Sequence, residues 1–258
     1  MNPAAWAIVI SIAVFFGMMV CLELGYRVGH RSSTRAAETA HEGVGAIEAA
    51  VFALLGLLLG FSFAGGMSRL ESKRLLIIEE ANAVGTAYLR LDLLPTNERT
   101  AMRRLFRDYL DARLRVYSRL PDRHAAELEM TEAGHIQQEI WTRAVTISSA
   151  DASHNTARLL LPAINAMIDI TTARKVAMYT HLPSLIFGLL ISVALLSGLL
   201  AGYAMAKRRS RSWLHLVLYA AVVSITVYAV LDLEYPRYGL IRLDAADNNL
   251  RQLRDSIR

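Results

Sequence analysis

The residues that could do chemistry are counted first. His30, His41, His124, His135, His154, His181 and His215 are the histidines, and no two of them stand four apart, the spacing that places two metal ligands on one helical face. Asp151 and His154 are three apart and could pair as carboxylate and imidazole, an arrangement far commoner as a cap or surface contact than as a metal site. Cys21 is the only cysteine, which excludes an internal disulfide and a thiolate cluster. It lies in an apolar run and reads as a buried structural thiol; Met18, Met19 and Val20 are bulkier than the small residues expected before a lipid-modified cysteine. No Gly-rich phosphate loop and no Gly-x-Ser-x-Gly elbow occurs, and Gly56 and Gly60 fall inside an apolar run. The chain therefore offers no catalytic, cofactor-binding or metal set, and a non-enzymatic role is expected.

Two other constellations remain. Phe52, Gly56, Leu59 and Phe63 recur at i, i+4, i+7 and i+11, with Leu55 and Ser62 beside them. Around a symmetry axis this face would stack apolar rings, which can gate a pore by dewetting. The competing reading is an ordinary helix-packing face. Further along, Glu79, Glu80, Asn82, Thr86 and Arg90 put polar groups on a helix with an apolar opposite side. They form either a buried hydrogen-bond and ion-pair network or an ion-coordinating vestibule; buried charge needs partners first, which favours the network.

The elements that must position these residues follow from hydropathy. The 258 residues are 54% hydrophobic and 20% charged, with mean hydropathy +0.32. Four stretches are long enough for the roughly 30 Å hydrocarbon core: Ala4 to Leu24, Ile47 to Gly66, Ser184 to Ala206 and Leu214 to Leu233. The first has no Lys or Arg before Trp6 and is too long for a signal peptide, so it reads as a retained span. The expected fold is all-α: four transmembrane helices plus an extramembrane helical bundle inserted between spans two and three. The divisions fall at 1–66, 67–183, 184–233 and an amphipathic tail, 234–258. The net charge of +5 reflects arginine near membrane ends and basic residues interleaved with acids, not a nucleic-acid footprint. No span carries a central ionisable residue of the kind proton-coupled transporters use, which leaves a passive pore open.

Orientation follows the short loops, because cytoplasmic loops retain Lys and Arg. Arg27, Arg31 and Arg35 follow span one, and Lys207, Arg208, Arg209 and Arg211 follow span three, so the bundle is expected on the periplasmic side. Arg69, Lys73, Arg74, Arg174 and Lys175 flank the other ends and pull the opposite way.

Within the bundle, Leu70, Ile77, Val84 and Leu91 recur every seven residues, with Ala81 and Tyr88 between, extending span two as one helix. That seam packs either inside the chain or against a second copy. Pro95 ends it. Thr96 or Asn97 caps the next helix, Pro121 stops that one, a third runs from about Ala125 to Ser148, and a fourth runs from Ser153 or Asn155 towards Pro183. Pro162 is expected to kink the fourth unless it lies in the first turn. In the tail, Leu243, Leu250, Leu253 and Ile257 can share a face, on the membrane or on the bundle.

Three segments carry a resemblance: "LLGLLLGFSFAGGMSRLESKR" from Leu54, "EEANAVGTAYLRLDLLP" from Glu79 and "LDLEYPRYGLIRLD" from Leu231. With the four-span layout they resemble the bestrophin-like family of bacterial membrane proteins. The resemblance implies residence in a bacterial inner membrane and, by analogy with bestrophins proper, a homo-oligomeric channel for small ions with span two at the axis. The alternative is a non-conducting membrane scaffold or sensor acting through its bundle. The expected partners are the lipid bilayer, further copies of the chain and small ions, and no cofactor or nucleic acid is expected.

Overall fold

The computed structural model describes residues 3–31, 41–119, 122–151, 155–206 and 213–257. Among these, helices alternate with short connections and no strand occurs. The contacts divide the chain into two units, 1–70 with 181–241, and 71–180 with 242–258.

The first unit holds α1 (Pro3–Arg31), the opening part of α2 (His41–Arg90), α6 (Ser184–Ala206) and α7 (Trp213–Glu234). Among the described residues four helical stretches are long and apolar enough to cross a membrane, and they contain the four expected spans. Met18, Leu22, Leu190, Ala194, Ala220 and Val227 form the centre of its apolar interior. Helices α1 and α6 touch backbone to backbone. A Cβ at Gly25 would lie 1.9 Å from the Leu199 carbonyl oxygen, and one at Gly202 would lie 2.0 Å from that of Leu22. In lipid, where apolar side chains gain nothing by leaving solvent, such close approach over small residues is the main source of helix cohesion.

The second unit holds the rest of α2, a 3-10 turn (Leu91–Leu93), α3 (Thr96–Arg119), α4 (Arg123–Ala150), α5 (Asn155–Tyr179) and the C-terminal α8 (Asp244–Ser256). Local chemistry sets the helix ends. Pro95 precedes α3, the Asp122 carboxylate accepts the Ala125 N–H at 3.1 Å, and the Asp151 carboxylate accepts the Thr156 N–H at 2.9 Å. Asp151 thus serves as a cap. The heptad seam is resolved as an intramolecular one: Ile77, Val84 and Leu91 are buried with Met102, Phe106, Leu110, Ile140, Leu160, Ile164 and Met167. Pro162 lies inside α5, past its first turn, and Val176 is exposed.

Helix α8 lies on the bundle, with Leu250 and Ile257 buried and Arg254 forked onto Asp111 of α3 at 2.6 and 2.8 Å. The hydrogen bonds that Arg254 donates to Asp111 raise its already high pKa further, burial opposing them. Arg35, His154, Pro121 and the cluster Lys207, Arg208, Arg209 and Arg211 lie outside the described residues.

Candidate functional site

Helix α2 has fifty residues and is covered unevenly. Only 11% of its most apolar stretch is buried, against 28, 33 and 39% in the other three spans. Inside the first unit its covered side consists of Leu55, Ser62 and Gly66, with Val51, Leu58 and Leu59 partly buried against the interior. Phe52 meets Tyr219 of α7 edge to face at 6.0 Å, and the Tyr219 hydroxyl donates to Ser197 Oγ at 2.7 Å. The six residues of the expected pore face therefore separate. Leu55 and Ser62 turn into the unit and Leu59 is partly covered, while Phe52, Gly56 and Phe63 are exposed. The opposite side is open: Ile47, Ala50, Leu54, Leu57, Phe61 and Ala64, spaced three and four apart, are all exposed, with Leu57 at 53% and Phe61 at 69%.

At the end of α7 two carboxylates are buried. Glu234 accepts from both Arg69 Nε, at 2.9 Å, and the Arg69 Nη2, while its other oxygen takes the Leu182 N–H at 3.0 Å. His181 Nδ1 stands 4.0 Å from the same oxygen, and its ring lies 4.6 Å from that of Tyr235. Asp232 accepts the N–H groups of Leu240 and Ile241 at 3.0 and 2.9 Å. The chain reverses between them through Tyr235–Tyr238, closed by Tyr238 N–H to the Tyr235 oxygen at 3.2 Å, with Pro236 second and Arg237 third at φ 134°. That positive φ strains an L side chain and belongs to a turn that normally takes glycine third. Gly239 comes so near Asp232 that an added Cβ would lie 1.5 Å from the carboxylate.

In the second unit Glu80 is fully buried. Arg113 of α3 forks onto it, Nε to Oε1 at 2.7 Å and Nη2 to Oε2 at 3.1 Å, and Arg174 of α5 also donates to Oε2. The Tyr109 hydroxyl reaches Oε1 at 3.4 Å and Thr171 Oγ1 at 3.0 Å. Tyr117 accepts from Arg113 Nη2 at 3.0 Å, and its ring centre lies 4.7 and 5.7 Å from the guanidinium carbons of Arg174 and Arg113. One carboxylate thus ties three helices together through two cations.

Of the five residues of the expected polar network, the structure brings only Glu80 and Arg90 into the bundle, Arg90 donating to the Leu159 carbonyl at 2.5 Å. Glu79, Asn82 and Thr86 lie exposed on the other side. The missed partners carried a signal: Arg113 stands in the apolar series Phe106, Tyr109, Val116, as Glu80 stands between Ile77 and Val84, and ionised residues on two buried faces must meet.

The sequence signature of the bestrophin-like domain matches residues 16–247. The fold is similar to the crystal structure of a bacterial bestrophin homolog, carrying a mutation, from Klebsiella pneumoniae. That likeness has TM-score 0.67 and 16% identity over 93% of this chain and 98% of that one. No curated protein matches the chain.

Proposed function

The chain belongs to the bestrophin-like family, and from that premise we propose that it is a homo-oligomeric membrane channel for small ions, with α2 of each copy lining the axis. The observation that carries this reading is the uncovered side of α2. All four spans show large apolar side chains to their surroundings, α1 through Ile8, Ile12, Phe16 and Val20 among others, but α2 is the least covered by its own chain, with Leu54, Leu57 and Phe61 exposed. In a bilayer such a stripe meets either acyl chains or further copies, and the low cover on α2 supports the second. In a symmetric ring the residues farthest from the chain's own interior turn inward, which assigns Leu54, Leu57, Phe61 and Ala64 to the axis. Phe52, Gly56 and Phe63 then face the neighbouring copies, with Leu55, Leu59 and Ser62 bracing the helix from behind. Rings of Leu57 and Phe61 would form a constriction that passes ions only when wetted.

On the loop-charge rule the channel lies in the bacterial inner membrane with the second unit in the periplasm.

Electrical recording from the purified protein in planar bilayers tests the reading. Conductance from an oligomer is expected; silent bilayers, or a monomeric mass, overturn it. The assignment of faces is tested in a Cys21→Ser background. A cysteine at Leu57 or Phe61 should react with a charged, water-borne thiol reagent and block current, whereas one at Leu55 should not. Reaction at Phe52 and Phe63 with none at Phe61 would instead return the axis to the face read from spacing alone.

A further inference from the structure

The open side of α2 continues into the second unit, where its chemistry changes. Ser72, Leu75, Glu79, Asn82, Thr86 and Leu89 are all exposed and follow one another by three, four, three, four and three residues. Counted along the chain they stay in step with the apolar stripe, since Ala64, Ser68 and Ser72 are four apart. The buried seam through Ile77, Val84 and Leu91 occupies the other side of the same helix. Three-four spacing is what any open helix side shows, and on the channel reading this side continues the one turned to the axis.

Its composition decides whether such an axis is dry or wet. Four of the six residues are polar, and Glu79 is the only ionisable one among them. No described residue of the chain pairs with Glu79, Asn82 or Thr86. In a close-packed seam, like carboxylates would sit side by side with neither water nor a counter-charge, and polar side chains at seam positions reduce stability. In a water-filled passage the same groups are solvated. The basic residues nearby on α2 are already engaged: Arg69 with Glu234, Arg74 with Glu71 at 3.5 Å, and Arg90 with the Leu159 carbonyl; Lys73 is not free either.

We propose that the Ser72–Thr86 side of α2 lines the wide, hydrated part of the conduction path, where a ring of Glu79 carboxylates selects cations over anions. This rests on the channel reading above and deepens it by naming the permeant class. A ring of carboxylates raises the local concentration of small cations and repels anions. The Ser72 and Thr86 hydroxyls and the Asn82 amide oxygen supply the hard oxygen ligands that can replace part of a cation's hydration shell.

Reversal potentials of the full chain in planar bilayers under a potassium chloride gradient test the proposal. The unaltered protein is expected to reverse towards the potassium potential. Glu79→Gln should lower the cation-to-anion permeability ratio about threefold, the size expected for removing one screened unit charge per copy beside water, and Glu79→Arg should move the reversal towards chloride. Glu132→Gln, an exposed acid on α4, should leave the ratio unchanged. Conductance that prefers anions, or is indifferent to Glu79→Gln, overturns this inference and leaves the channel standing. Silence from every variant and from the unaltered protein overturns the channel and this inference with it.

Discussion

Helices α1 and α2 are both long, both apolar and both part of the membrane unit, yet they are held in opposite ways. Helix α1 presses against α6 with Gly25 and Gly202 where any side chain would collide with backbone oxygen, so its position is fixed by the chain that contains it. Helix α2 has Leu55, Ser62 and Gly66 buried and turns Leu57 and Phe61 away. Had hydropathy alone governed packing, the two would be equally covered. The difference shows that close approach over Gly25 and Gly202 fixes α1 against α6, while α2, whose Gly56 and Gly60 meet nothing within 4 Å, is held by its own chain along one narrow side.

The sharpest way to break the contrast is at the tight crossing. Gly202→Leu places a branched side chain into the Leu22 backbone and is expected to cost about 3 kcal/mol or more, so that little folded protein survives extraction and thermal unfolding in mild detergent. The next effect belongs to the covered side of α2. Arg113→Leu leaves Glu80 with one cation instead of two, and loss of about 3 kcal/mol is expected, read as a lower denaturation midpoint of the whole chain. The smallest effect belongs to the open side: Phe61→Ala should change the stability of a single copy by no more than about 0.5 kcal/mol, while altering conductance. A large fall in stability there would mean that the stripe is buried by its own chain, and the contrast would dissolve.

Adjacent residues make the same point at one peptide's distance. Glu79 and Glu80 are identical side chains on successive turns of direction, one exposed without a partner among the described residues and the other enclosed by Arg113, Arg174 and Tyr109. Spacing along α2 put both in one polar group, because sequence periodicity reveals that a helix has two sides without saying which is turned inward. The spans themselves were legible, since length and hydropathy are local properties. So were the boundaries at Pro95 and Asn155, where the signal acts within a few residues, whereas the Asp122 cap was missed in favour of Pro121, which lies outside the described residues. Partners 33, 94 and 165 residues apart, as in Glu80 with Arg113 and Arg174 or Arg69 with Glu234, depend on tertiary arrangement. The Phe52, Leu59 and Phe63 face is a sound helical repeat with its two Phe exposed, but repeats abound in an apolar helix, and spacing alone does not choose among them.

The pairing of Arg69 with Glu234 also constrains biogenesis. The acid is among the last groups of the fourth span to be made, and it cannot leave water alone without a large penalty. Its cation was synthesised long before, at the end of the second span. The final hairpin can therefore settle only onto an earlier one that is already in place, and a nascent chain whose second span is misplaced keeps its last acid hydrated, holding that terminus at the bilayer surface as an unfinished product.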